Sequence, residues 1–170
     1  AAGFTEDELR ALFRWGRDRK LLSLSGGSPL EMDFERFKEI FLTQLPRRNS
    51  DTEQLFAILD DVGLMIGRVG LFGLGSDAAS AELGIVIGER SHWSRGFGRD
   101  AVQTLSAYGF QALGLRRIYL YTFVENERAR RAFEACGFQC VRELRRFSFE
   151  RGIHMELEME LRPTQRRATQ

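Results

Sequence analysis

The spacing of apolar positions changes along the chain, and each change marks an element. Leu9, Leu12 and Phe13 recur at helical spacing behind Thr5-Glu6-Asp7-Glu8. Those four residues form a capping box, with Thr5 as N-cap and Glu8 reaching back to it, and together they predict a helix over 6–19. Trp15 on that helix is expected to pack in the core. Residues 21–29 read as a loop around Gly26-Gly27. Phe34, Phe37, Ile40, Phe41 and Leu45 then mark a second amphipathic helix from Asp33 to just before Pro46, with a polar turn at 47–51. From Glu53 the period shortens. It predicts strands over 55–59 and 64–72 about the turn Asp60-Asp61-Val62-Gly63, a small-residue loop over 73–80, and a strand over 82–87.

The second half alternates strand and helix. A glycine-rich turn, WSRGFG at 93–98, leads into a helix over 99–112 that buries Ala101, Val102 and Leu105 and stops near Gly114. RIYLYTFV at 117–124 is rich in β-branched and aromatic residues and reads as a strand. Asn126 caps a short helix over 127–135, closed by Gly137. A final hairpin pairs 140–149 with 153–161 about 150–152. In its last strand Met155, Leu157, Met159 and Leu161 share one face, and His154, Glu156, Glu158 and Glu160 share the other. The order α α β β β α β α β β predicts an α+β layered fold, and 82–87, 99–112 and 117–124 can close a right-handed βαβ-type unit. The elements are expected to form one domain over 1–162, with an aperiodic tail at 163–170.

Bulk properties narrow the function. The chain has 170 residues, 43% hydrophobic and 29% charged, which suits one domain with a real core. A net charge of +1 gives no electrostatic case for nucleic acid. No run approaches the roughly 18 apolar residues of a membrane span, and no leading segment reads as a signal peptide, so a cytoplasmic enzyme is the default. The chain begins Ala-Ala rather than with methionine, which leaves room for an upstream piece. Cys136 and Cys140 form a CxxxC pair without further ligands; they read as reduced, buried thiols, and no metal is expected.

The chemistry concentrates at the 93–98 turn. A strand feeding a helix through glycines converges backbone N–H groups on one point and aims the positive end of the helix macrodipole there, so the point attracts phosphate. Gly96 and Gly98 admit phosphate oxygens without Cβ interference, and Arg95 and Arg99 offer charge-assisted contacts. An ordinary strand–helix turn with a solvated arginine pair is the plainer reading of the same residues.

Four segments carry a resemblance. They are AELGIVI before the turn, WSRGFGRDAV across it, VENERARRAFEACGF around the short helix, and ELRRFSFERGIHMELEMEL in the closing hairpin. In this order and at these separations, over about 55–161, the chain resembles the GNAT superfamily of N-acetyltransferases. It is most similar to the branch holding ribosomal-protein N-terminal and spermidine acetyltransferases. The resemblance implies a GNAT-like fold with a mixed central sheet and helices on both faces, and acetyl-CoA as co-substrate. It places the cofactor's pyrophosphate on Trp93, Ser94, Arg95, Gly96, Phe97 and Gly98, beside the Arg99 cation, with Trp93 standing where the superfamily's usual Gln or Arg opens the motif. The pantetheine arm is expected along Ile85, Val86 and Ile87, where one backbone N–H would face the thioester carbonyl. Asn126 is expected to bond that arm and cap its helix, or to serve as a cap alone. Ala132, Phe133 and Glu134 are expected to complete the cofactor wall.

One departure matters. The family often uses a tyrosine in the short helix to protonate the departing CoA thiolate, and the matching residue here is Phe133, which has no proton to give. Tyr121, Tyr119, Ser94 and His92 are weaker alternatives. The acceptor amine must itself lose a proton before attack; Glu82 is the first candidate base and Glu156 the second, with surface or bracing roles as their plainer readings. The acceptor groove is expected between the first two helices and the closing hairpin, around Trp15, Arg17, 21–30 and 145–154. The chain is therefore read as an acetyl-CoA-dependent N-acetyltransferase acting by direct attack. Its acceptor is a protein N-terminus or a small amine such as a polyamine or antibiotic, and it is a possible homodimer. The alternative is a CoA-binding regulatory or interaction module with weakened or lost catalysis.

Overall fold

The computed structural model describes residues 4–44, 51–75 and 79–163. Most of the expected tail, most of the 47–51 turn, and Leu45 lie outside them. The elements are α1 (Glu6–Trp15), α2 (Arg19–Ser25), α3 (Phe34–Gln44), β1 (Glu53–Leu59), β2 (Met65–Phe72), β3 (Ser80–Ile87), α4 (Phe97–Gln111), β4 (Arg117–Phe123), α5 (Glu127–Ala135), β5 (Gln139–Ser148) and β6 (Gly152–Leu161). A 3₁₀ turn, Arg90–His92, precedes α4. The strands form one mixed sheet in the order β1-β2-β3-β4-β6-β5. The β3–β4 pair is parallel and the other neighbours are antiparallel.

Helices cover both faces. Val102 and Leu105 of α4 and Phe133 of α5 pack with Leu83, Ile118, Leu120, Leu157 and Met159 on one face. Leu9, Leu12, Trp15, Leu21 and Phe41 of α1–α3 form a second cluster that reaches Val86 and Trp93 on the other. Among the described residues, no helix is long and apolar enough to cross a membrane.

The main departure from the sequence reading is at the N-terminus. The helix expected over 6–19 stops at Trp15, and a separate helix, α2, occupies much of the expected 21–29 loop. Gly16 caps α1, and the Asp18 carboxylate accepts from the N–H groups of Lys20 and Leu21, which restarts the helix. Helix α4 begins two residues early because Gly96, at φ 95°, is its N-cap. The cysteines are also less buried than expected: Cys140 is exposed and Cys136 half-exposed. Glu158 is 3% exposed on the strand face expected to be polar; it is held between the guanidinium groups of Arg117 and Arg142 at 2.5 and 2.7 Å. The capping box at Thr5 and Glu8 and the burial of Trp15 are as expected.

Candidate active site

The site begins where the sheet opens. β3 pairs with β4 over three rungs, Ser80↔Arg117, Ala81↔Ile118 and Glu82↔Tyr119. Beyond Glu82 the two strands diverge, while the other edge of β3 stays in register with β2 as far as Ile87. The main-chain groups of Ile85, Val86 and Ile87 on the β4 side are thus left without a strand partner, an edge suited to pairing with an extended amide-bearing chain. A groove of about 1560 Å³ fills the opening, with Ile85–Ile87 on one wall and Tyr121–Phe123 on the other.

At one end lies the glycine-rich turn. Gly96 and Ser94 have positive φ, 95° and 60°, so the backbone doubles back and presents its N–H groups where α4 starts. Ser94, Gly96, Gly98 and Arg99 line the groove. Arg95 and Phe97 do not: the Arg95 guanidinium lies 5.5 Å from the Phe97 ring centre, and Phe97 packs on the core. Trp93 lines the groove with its plane fixed, since its indole N–H donates to the Ile87 carbonyl at 2.8 Å. Above that ring, 3.7 Å from its centre, sits the guanidinium of Arg128 from α5. Sequence reasoning passed over Arg128, although it was visible as a cation in the first turn of a helix, the end where the macrodipole disfavours one. Arg130 and Arg131 on the same helix pair with Glu134 and Glu127, but Arg128 has no carboxylate partner among the described residues. Burial of its guanidinium lowers its pKa from the usual arginine range.

Helix α5 closes the side opposite β3. Asn126 is buried; its carboxamide oxygen accepts from the Ala129 N–H at 3.2 Å and its amide nitrogen donates to the Leu24 carbonyl, also at 3.2 Å. It is therefore both the cap of α5 and a tie to α2. Ala132 and Phe133 line the groove, whereas Glu134 lies outside it, against Arg130. Phe133 packs on Phe138 with ring centres 6.0 Å apart.

The two candidate bases both line the groove, Glu82 at the last β3–β4 rung and Glu156 on β6, opposite Phe123. Glu82 is half-buried and makes no hydrogen bond or ion pair among the described residues. Burial pushes its carboxyl pKa up, the Glu156 carboxylate pushes it further, and Arg146 partly offsets both. Glu156 is engaged: His154 Nε2 lies 3.1 Å from one of its oxygens and Arg146 Nε lies 3.7 Å from the other. Of the alternative acids, Tyr121, Ser94 and His92 line the groove and Tyr119 does not; His92 Nε2 lies 3.3 Å from Asp60. The groove's outer reach is covered by Leu21, Leu24, Ser25 and Gly26 of the α2 region, with Arg146, Phe147, Ser148 and His154 of the closing hairpin facing it. Trp15 and Arg17 are not part of it; Trp15 is in the α1–α3 core.

A parallel strand pair that splays beside a glycine turn capping a helix defines an acyl-CoA N-acyltransferase fold. The profile of the acetyltransferase (GNAT) domain matches residues 2–139, and the chain belongs to that family, the acetyl-CoA-dependent N-acetyltransferases. It is 30% identical to the spermidine N(1)-acetyltransferase of Vibrio cholerae over 131 residues, 77% of this chain and 73% of that one. The crystal structure of spermidine N-acetyltransferase from V. cholerae in complex with CoA and spermine superposes with a TM-score of 0.80 at 26% identity, covering 95% of this chain and 93% of that one. A dodecameric structure of the V. cholerae enzyme gives a TM-score of 0.72 at 27% identity over 94% and 90% of the two chains.

Proposed function

We propose that the protein transfers the acetyl group of acetyl-CoA to a primary amine of a small polyamine, by direct attack within a ternary complex. The observation that carries this reading is Glu82: a half-buried carboxylate without a partner among the described residues, at the closed end of the β3–β4 opening. Its raised pKa suits it to take a proton from an ammonium. The kinship with spermidine acetyltransferases supports the choice of amine.

The cofactor's phosphates sit on the N–H groups of the 94–98 turn, with Arg99 and Arg128 as cations, and its pantetheine arm pairs with Ile85–Ile87. The amine nitrogen attacks the thioester carbonyl carbon. A backbone N–H of that strand segment stabilises the oxyanion, a role worth roughly 3 kcal/mol when preorganised. Glu82 has by then taken the ammonium's proton, directly or through water; as the C–S bond breaks the nitrogen gives up its second proton to solvent, and the CoA thiolate takes a proton from solvent. Thiols ionise near ~8.5, so the thiolate leaves adequately without the tyrosine that Phe133 replaces. Self-association belongs to the same reading, since Phe147, Phe149 and Ile153 leave an apolar hairpin exposed.

Phe133 favours one second reading, a CoA-binding module without turnover. Thiol release from acetyl-CoA over a panel of monoamines, polyamines and peptides separates the two. Polyamine-dependent release is expected; tight CoA binding by calorimetry with no turnover on any amine would establish the module instead.

Arg128 gives a sharper test of the cofactor seat. Arg128→Gln is expected to raise KM for acetyl-CoA about tenfold, the loss of one charge-assisted contact, while leaving KM for the amine unchanged. With acetyl-pantetheine, which lacks the phosphates, variant and wild type should behave alike. Equal losses on both thioesters would remove Arg128 from the phosphate site.

A further inference from the structure

A single row of register partners crosses the sheet through Glu82. Glu53 of β1 faces Phe72 of β2, Phe72 faces Glu82 of β3, and Glu82 faces Tyr119 of β4. Direct partners point to the same side of a sheet, so Glu53, Phe72 and Glu82 share the face that carries the groove, and all three line it. Two strand spacings separate the backbones at Glu53 and Glu82, about 10 Å.

Phe72 makes the ground between them apolar. Its ring lies down along the sheet rather than standing off it, over Gly70 and Gly84. A Cβ added at either glycine would come within 3.1 and 3.0 Å of the ring, respectively, so the ring can take this position because both residues are glycine. Leu55 extends the same surface; its Cδ1 is 3.0 Å from where a Gly70 Cβ would be. Phe72 is half-exposed, so the ring forms a floor of the groove as well as filling space.

Among the described residues neither end of this strip is engaged in an ion pair. Like Glu82, Glu53 makes no hydrogen bond or ion pair among the described residues. Of the arginines that line the groove, Arg146 is paired with Glu156, Arg131 with Glu127, Arg99 and Arg128 are at the glycine turn, and Arg68 is four residues along β2 from Phe72. A carboxylate, an apolar floor and a second carboxylate about 10 Å away match an aliphatic chain with a cation at each end.

We propose that Glu53 binds the distal ammonium of a linear di- or polyamine whose reacting amine lies at Glu82, with Phe72 carrying the methylenes between them. The pair then selects acceptors by the distance between their charges. This rests on the polyamine reading above and adds the residues that measure the acceptor.

The test is a steady-state series of aliphatic monoamines, diamines of increasing length and spermidine, on wild type and Glu53→Gln. Wild type is expected to prefer acceptors with a second ammonium about 10 Å away over monoamines of equal length, by about tenfold in kcat/KM. Glu53→Gln should remove that preference through KM for the charged acceptors. Its rates on monoamines and its KM for acetyl-CoA should match wild type. Polyamine turnover that Glu53→Gln leaves unchanged, or lowers equally for every amine, overturns the role of Glu53 while the polyamine reading stands. Absence of polyamine turnover in wild type overturns both.

Discussion

Glu82→Gln is expected to lower kcat/KM for amine acetylation by about 10² to 10⁴, the usual contribution of general acid–base catalysis, with the CoA affinity unchanged. The glutamine keeps the shape of the side chain and removes the base. The acceptor is an ammonium at neutral pH, and the step fails until its proton has a destination. Glu82 is half-buried and unpartnered beside Glu156, and both burial and that neighbouring charge raise its pKa. A carboxyl group with a raised pKa holds its proton to higher pH, so it is a base only above that pKa. Wild-type kcat/KM should therefore fall, as pH is lowered, at a pH above the ordinary carboxylate range, and Glu82→Gln should lack that limb. The loss should be largest above that pKa, where the carboxylate is ionised, and should shrink as pH falls through it. An unchanged pH–rate profile would clear Glu82 of the role. Glu156 is a poorer candidate because His154 and Arg146 already occupy its oxygens.

The second large effect is on stability. Gly88→Ala is expected to destabilise the fold by about 3 kcal/mol, the upper part of the usual overpacking range. Gly88 follows β3, and a Cβ there would fall inside the indole of Trp15. Trp15 has little freedom to move aside: it is 5% exposed in the α1–α3 core, and its N–H donates to Glu89 at 2.9 Å. The Arg14 guanidinium pairs with the same carboxylate, so displacing the ring strains the whole α1 contact with the sheet. For a chain of this size the midpoint of thermal unfolding should fall by about 6 to 12 °C. Urea titration provides the check. A change below about 1 kcal/mol would mean that Trp15 repacks freely and that α1 is not fixed to the sheet at this point.

Much of the site was legible because its signals are local. The WSRGFG turn announces a helix N-terminus built for an anion, and the structure caps α4 with Gly96. The strand leading to it, Asn126 and Phe133 were all legible from short spacings. The parts that were missed depend on distant residues meeting. α2 looked like a loop because Gly26-Gly27 dominates its composition, and its start signal, Asp18, was absorbed into the preceding helix. Arg128 reads as one arginine among several on α5 until the fold brings Trp93 beneath it. Arg95 was assigned from position in the turn, but its side chain turns onto Phe97. Glu53 opens an edge strand and gains meaning through register alone, which no periodicity reveals. The exposure of Cys140 follows from β5 being the outer strand of the sheet, a fact of topology rather than of sequence.

The proposed transfer passes directly from thioester to amine in this groove. It is tested most directly by initial-velocity kinetics with acetyl-CoA and spermidine varied together and N-acetylated spermidine measured as product. Intersecting lines, with no acetyl group retained on the protein when amine is withheld, are the predicted result. Parallel lines with an acetylated Cys136 or Cys140 would contradict it.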